Sequence, residues 1–124
     1  MNQHYCTLCL GSNFNRHTRI DQARRALAFH FPNIRFGEEM ETKAIGCGFL
    51  SPFINQLAQF TTALSQEEIR NILKSIEKEN GRLPEDKAQG IVKLDIDLLM
   101  YDDQILKPKD MEKDFIRQGM KAFQ

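Results

Sequence analysis

Apolar and polar positions along the 124 residues alternate with two different periods, and the order of those periods outlines a fold. Residues 5–10 combine aromatic, Cys, Thr and Leu side chains and run into Gly11-Ser12-Asn13, which reads as a strand leaving through a turn. Ile20, Ala23, Leu27 and Phe31 follow at helical spacing. Thr18 and Asp21 stand as a capping box at the start of that helix, with Asp where Glu or Gln is usual, and Pro32-Asn33 closes it. Ile34, Phe36, Glu38 and Met40 then share one face of a second strand, with Arg35, Gly37, Glu39 and Glu41 on the other. Residues 42–52 hold Gly46, Gly48 and Pro52 and keep no period, so they predict a mobile loop of the kind that closes over ligands.

Phe53–Thr62 reads as a third strand on which Phe53, Asn55 and Leu57 share a face. Ser65 with Glu68 is a clean capping box, and Ile69, Ile72, Leu73 and Ile76 form the apolar stripe of a helix ending near Gly81. A polar connection over 83–90 leads to a strand over 93–101; Asp102-Asp103 mark a turn, and 110–123 predict a terminal helix with Met111, Phe115 and Gly119 or Met120 on one side. Strand, helix, strand, strand, helix, strand is the βαββαβ order of a ferredoxin-like α+β sandwich, an antiparallel sheet with both helices on one face. The other face is left for loops or ligands. No repeat or linker interrupts the pattern, and the length suits a single domain over 1–124.

Within the last strand, Asp95 and Asp97 project from one face while Leu94, Ile96 and Leu98 line the other. Two ionised neighbours repel, and a strand so rich in Leu and Ile favours burial, so a compensating charge is expected beside them. Magnesium suits the pair, because it commonly takes one or two protein carboxylates and completes its octahedron with water and substrate phosphates. The same short pattern also fits a solvated outer strand face, on which two acids need no partner.

Composition narrows the choice. With 41% hydrophobic and 27% charged residues the chain is that of a folded globular protein, and 17 basic residues balance 17 acidic ones. That balance argues against a broad nucleic-acid surface, so phosphate recognition has to be local. No apolar run is long enough for a membrane span and the N-terminus lacks the order of a signal peptide, so a cytoplasmic location is expected. Cys6, Cys9 and Cys47 are odd in number, and on a strand Cys6 and Cys9 face opposite ways; they read as reduced thiols, two of them filling the core.

Four stretches, in order, complete the reading: Leu10-Gly11-Ser12-Asn13 after the first strand; Thr42 with Gly46 in the loop; Phe53-Ile54-Asn55 on the third strand; and Glu77 through Gly81-Arg82 to Leu94-Asp95-Ile96-Asp97. Together they resemble the 6-hydroxymethyl-7,8-dihydropterin pyrophosphokinase family, folate-pathway enzymes that transfer diphosphate from ATP to a pterin alcohol. The resemblance spans residues 5 to about 105 and implies the same ferredoxin-like fold. It implies two magnesium ions held by Asp95 and Asp97 on the ATP phosphates, with Arg82 acting beside them in catalysis. It further implies that Asn55 hydrogen-bonds the pterin, that Phe53 packs on it where the family usually has Tyr, and that Thr42 and Ile45 add backbone contacts. It also implies that Glu77, Arg82, Lys93 and Leu98 lie on the nucleotide side.

The chain also departs from the family. A second arginine usually follows the Gly-Arg pair, and W-G-P-R usually precedes the acidic strand, where this chain has Pro84 and Gln89-Gly90-Ile91-Val92. Arginine makes bidentate, permanently charged contacts to phosphate, and Val92 makes none. The family continues with a Pro-His pair and a later Arg and aromatic; here Pro108 precedes Lys109 and no histidine follows His30. The resemblance therefore implies a short, divergent pyrophosphokinase of weakened activity. Two other readings stay open: a non-catalytic nucleotide- or pterin-binding module of the same fold, and a structural homo-oligomer built on the open sheet face.

Overall fold

In the computed structural model, which describes residues 2–43 and 52–123, the first strand, β1 (His4–Ser12), is the middle of the sheet. After it come α1 (Arg16–His30), β2 (Arg35–Phe36), β3 (Met40–Thr42), β4 (Phe53–Thr62) and α2 (Gln66–Glu79). A 3-10 helix, Pro84–Gln89, leads to β5 (Asp95–Tyr101), β6 (Gln104–Ile105), α3 (Pro108–Met111) and α4 (Asp114–Lys121). The strands run β2-β4-β1-β5-β6, with β3 also on β4, and every pairing is antiparallel. This is the ferredoxin-like α+β sandwich that the periodicity predicts, extended by a sixth strand.

Strand alternation sorts the side chains between two faces. Leu8 and Leu10 of β1, Ile54, Ala58 and Phe60 of β4, and Leu94, Ile96 and Leu98 meet Ile20, Ala23 and Leu27 of α1 and Ile69, Leu73 and Ile76 of α2 in the main core. Each of these Leu, Ile and Phe side chains, once buried, contributes about 1.5–3 kcal/mol, which is what holds the two helices on the sheet. On the opposite face Leu57, Leu99 and Ile116 form a smaller core joined by Met111, Phe115 and Met120. The register between β1 and β5 slips between Thr7 and Leu8, and this bulge turns both Leu99 and Met100 to that second face. α4 therefore covers one end of the second face, beside the acidic end of β5.

Local signals settle most boundaries. Ser65 Oγ accepts from Glu68 N at 3.2 Å and Glu68 Oε1 from Ser65 N at 3.0 Å, the reciprocal box expected at the start of α2. The box expected at Thr18 does not form. α1 starts from Asn15, whose left-handed φ of 48° turns the chain directly from strand to helix, and Asp21 inside the helix pairs instead with Arg24 and Arg25. The second strand is broken in two at Gly37, whose N–H bonds Leu57 O at 2.8 Å and whose carbonyl accepts from Gln56 Nε2 at 2.6 Å. The terminal helix is likewise two: Lys113 is extended (φ −66°, ψ 139°), and this corner lets α4 turn Ile116 onto the sheet. β6 was not predicted; Asp102, at φ 54°, makes the tight turn into it while its carboxylate accepts from Tyr5 N at 2.8 Å.

Candidate functional site

The uncovered part of the second face carries the candidate site, and strand register places its floor. Gly11 of β1 pairs with Asn55 on one side and Asp95 on the other, and Cys9 in the same way with Leu57 and Asp97. Asn55 and Asp95 thus stand two strands apart in one row, about 10 Å between backbones. Gly11 keeps the middle of that row low: a Cβ there would sit 3.1 Å from Asn55 Oδ1. Asn55, itself buried, donates from Nδ2 to Thr42 Oγ1 at 2.7 Å, which fixes the amide and leaves its carbonyl oxygen toward Gly11. Above this floor lies a cavity of about 1000 Å³, walled by Thr42, Lys43 and Phe53 on one side, by residues between Arg82 and Lys93, among them Pro84, Asp86 and Val92, on the other, and by Lys113, Asp114 and Phe115 at the end.

The turn after α2 aims the cationic group. Asn80 caps the helix, and Gly81, at φ +85°, takes the left-handed turn that a side chain would strain, so that Arg82 N reaches back to Glu77 O. Arg82 Nη1 then lies 3.0 Å from Glu77 Oε2 and 3.1 Å from Asp95 Oδ1. Burial works against the Arg82 charge, but Glu77 and Asp95 outweigh it and hold the guanidinium above its usual pKa. Glu77 Oε2 also accepts from Ile96 N at 2.7 Å. Burial pushes the Glu77 carboxyl up, opposed by that N–H and by Arg82.

Asp97 has no such partner: among the described residues no Lys or Arg forms an ion pair with it. Burial first, then its hydrogen bond with Asp95 and the charge of that carboxylate, push Asp97 up to about 7. Asp97 is therefore partly protonated at neutral pH. Cys9, beneath them, is pushed up to about 12 by burial and by both aspartates, so it stays a thiol and offers no soft thiolate ligand. The donor set is two hard oxygens on an under-compensated pair. Among the described residues no group of three or more His, Cys, Asp and Glu gathers as a metal cage; two carboxylates are a donor set that would suit a hard cation such as magnesium, which takes few protein ligands.

Of the residues singled out in the sequence, Thr42, Phe53, Asn55, Arg82, Lys93, Asp95 and Asp97 line this one cavity. Ile45, Gly46 and Cys47 lie outside the described residues. Leu98 does not reach the cavity: its side chain is in the main core, as the alternation from Asp97 requires. Glu77 acts from behind, through Arg82 and Ile96. Lys93 precedes β5 rather than beginning it, and its Nζ donates to Gly81 O at 2.9 Å instead of standing beside Asp95. Asn13, which the sequence places in the turn after the first strand and in the Leu10-Gly11-Ser12-Asn13 stretch, fastens the far wall, donating to Gly90 O at 2.9 Å and accepting from Val92 N at 2.6 Å. Its place between strand and helix in Gly-Ser-Asn was the available signal. Nothing in the sequence pattern signals Asp86, a buried acid in a stretch that reads as a polar connection.

Comparison with known proteins bears on this arrangement. No curated protein matches the chain significantly. Among solved structures, the C-terminal domain of the MgtC protein from Mycobacterium tuberculosis is similar at 6% identity and a TM-score of 0.42, over 77% of this chain and 86% of that one, a likeness too slight to carry an argument. No helix among the described residues is long and apolar enough to cross a membrane. The family model of 7,8-dihydro-6-hydroxymethylpterin-pyrophosphokinase matches residues 7–124, nearly the whole chain and all of the cavity just described, and the chain belongs to that family.

Proposed function

We propose that this chain transfers diphosphate from ATP to 6-hydroxymethyl-7,8-dihydropterin, with magnesium, as a step of folate biosynthesis in the cytoplasm. The observation that carries the reading is the row Asn55, Gly11, Asp95 with Asp97 beside it, which sets an amide for a heterocycle and a carboxylate pair for a metal-bound phosphate on one floor. Magnesium, when bound, supplies charge neutralisation to the phosphates, and Asp95 and Asp97 are the residues that would hold it. Asn55 offers the donor and acceptor pair that a pterin edge requires, and Phe53 the apolar face that stacks on its ring. The pterin's hydroxyl oxygen attacks the β-phosphorus of ATP in line and gives up its proton to water; the bond from that phosphorus to the α-phosphate oxygen breaks, and AMP leaves. Arg82, held 3.1 Å from Asp95 Oδ1, would meet the developing charge.

A specific observation favours a second reading, a module that binds without catalysing. Arg82 is the one arginine lining the cavity among the described residues, and Pro84 and Val92 present apolar surface at the same wall. Incubating the protein with ATP, magnesium and the hydroxymethyl dihydropterin separates the readings. AMP is expected; ADP would mark ordinary phosphoryl transfer, and binding of both ligands without turnover would establish the second reading.

A further inference from the structure

Lys93 falls at the nucleotide side of the cavity, yet its ammonium is engaged within the protein. Nζ donates to Gly81 O at 2.9 Å and stands 3.5 Å from Asp86 Oδ2, and the two side chains are only 15% and 9% exposed. Asp86 Oδ2 also accepts from Leu83 N at 2.9 Å, and Asp86 O from Ile91 N at 3.0 Å. The far end of the same segment is fastened by Asn13, through Gly90 O and the Val92 backbone. Residues 81–92 are thus a loop drawn closed around one nearly buried ion pair. A pair so far out of water repays its desolvation poorly as stability, and its best-attested use is to select one arrangement among several. The segment needs such selection. It turns Leu83 outward, buries no apolar side chain in either core, and still forms the wall that carries Arg82.

We propose that Lys93 and Asp86 are positioning residues, a clasp that fixes the 81–92 wall and holds Arg82 against Asp95, and that Lys93 is not itself a phosphate ligand. The lever is short. Gly81 O, which Lys93 holds, belongs to the residue before Arg82, and Arg82 meets Asp95 through a single nitrogen at 3.1 Å. An ångström of drift at Gly81 is enough to release that contact, and misplacement on that scale costs about 100-fold in rate where positioning supplies the catalysis. The kinetic part of this inference rests on the proposed diphosphate transfer; the clasp itself does not.

Two readouts on the full chain test it. In native-state hydrogen exchange, Lys93→Met should speed the Leu83 and Ile91 amides by about tenfold or more, with the Leu8 and Ala58 amides of the sheet unchanged. In diphosphate transfer the same variant should lower kcat by about tenfold or more while the pterin KM holds, and Lys93→Arg should restore most of both. Unchanged exchange with an ATP KM raised by about tenfold or more would overturn the clasp in favour of a direct phosphate contact. Unchanged exchange with unchanged kinetics would overturn it outright. If the parent forms no AMP, the exchange result alone decides the clasp and the failure belongs to the proposed reaction. Asp86→Asn, which keeps the size and the acceptor for Leu83 N but removes the charge, gives the same exchange test should Lys93→Met not fold.

Discussion

At the scale of single residues the site turns on Asp97, whose carboxyl moves from 3.8 up to about 7 in the fold. Between those values the folded state keeps a proton that the unfolded chain has given up. The stability this lends is full below pH 3.8 and is lost as pH rises through about 7. The metal-free protein should accordingly lose Tm from about pH 5 to pH 8, and Asp97→Asn should flatten that loss; an unchanged slope in the variant contradicts the shift. Magnesium-nucleotide binding at this site would displace the proton of Asp97, so affinity should strengthen up to about pH 7 and then level off, which calorimetry in two buffers of different ionisation enthalpy will show as proton release. Val92 is the complementary case, a side chain at the cavity wall with no charge where the family usually has arginine. Val92→Arg should raise diphosphate transfer by about tenfold, since that needs only about 1.4 kcal/mol of transition-state stabilisation, and the gain should be in kcat. A slower variant would mean that another cation already fills the role.

At the scale of elements, α4 is the part that makes the second face a pocket rather than an open sheet. It docks through Gly119, where a Cβ would come within 2.6 Å of Leu57 Cδ1 and 3.1 Å of Met40 Cε. Leu57 is fully buried and has little room to give. Gly119→Ala gains about 1 kcal/mol of helix propensity but overpacks a filled site, which costs typically 1–3, so a net destabilisation of up to about 2 kcal/mol is expected in urea unfolding. A stabilised variant would show that α4 is not seated on Leu57. This element also marks the limit of what the sequence shows. The apolar side of the terminal segment was legible in Met111, Phe115 and Gly119 or Met120, which the sequence puts on one side and which the structure turns to the second core, although Met111 stands on α3 and the others on α4. The corner at Lys113 and the landing of Ile116 on Leu57 and Leu99 were not, since tertiary packing decides them and no turn residue stands there. The split second strand escaped for a similar reason: Gly37 reads as one more alternating position until its partners across the sheet are known.

At the scale of the whole molecule, the floor was legible where strand alternation alone determines direction. Asp95 and Asp97 on one face, and Phe53 and Asn55 together on another strand, follow from a period of two; that the strands lie either side of Gly11 follows only from the ferredoxin-like order. What alternation cannot reach is the connecting segment 81–92, where hydrogen bonds from Asn13 and Lys93 set the wall, and there the expected role of Lys93 differs from its place. In the proposed reaction a heterocycle end at Asn55 and a metal end at Asp95 and Asp97 would work together across Gly11. Phosphorus NMR of the protein with ATP, magnesium and hydroxymethyl dihydropterin tests that most directly, run in parallel on Asp97→Ala. The account predicts AMP and a pterin diphosphate accumulating in equal amounts with the parent, and neither with Asp97→Ala although that variant still binds the pterin. AMP formed equally well without the Asp97 carboxylate, or ADP in place of AMP with the parent, would contradict it.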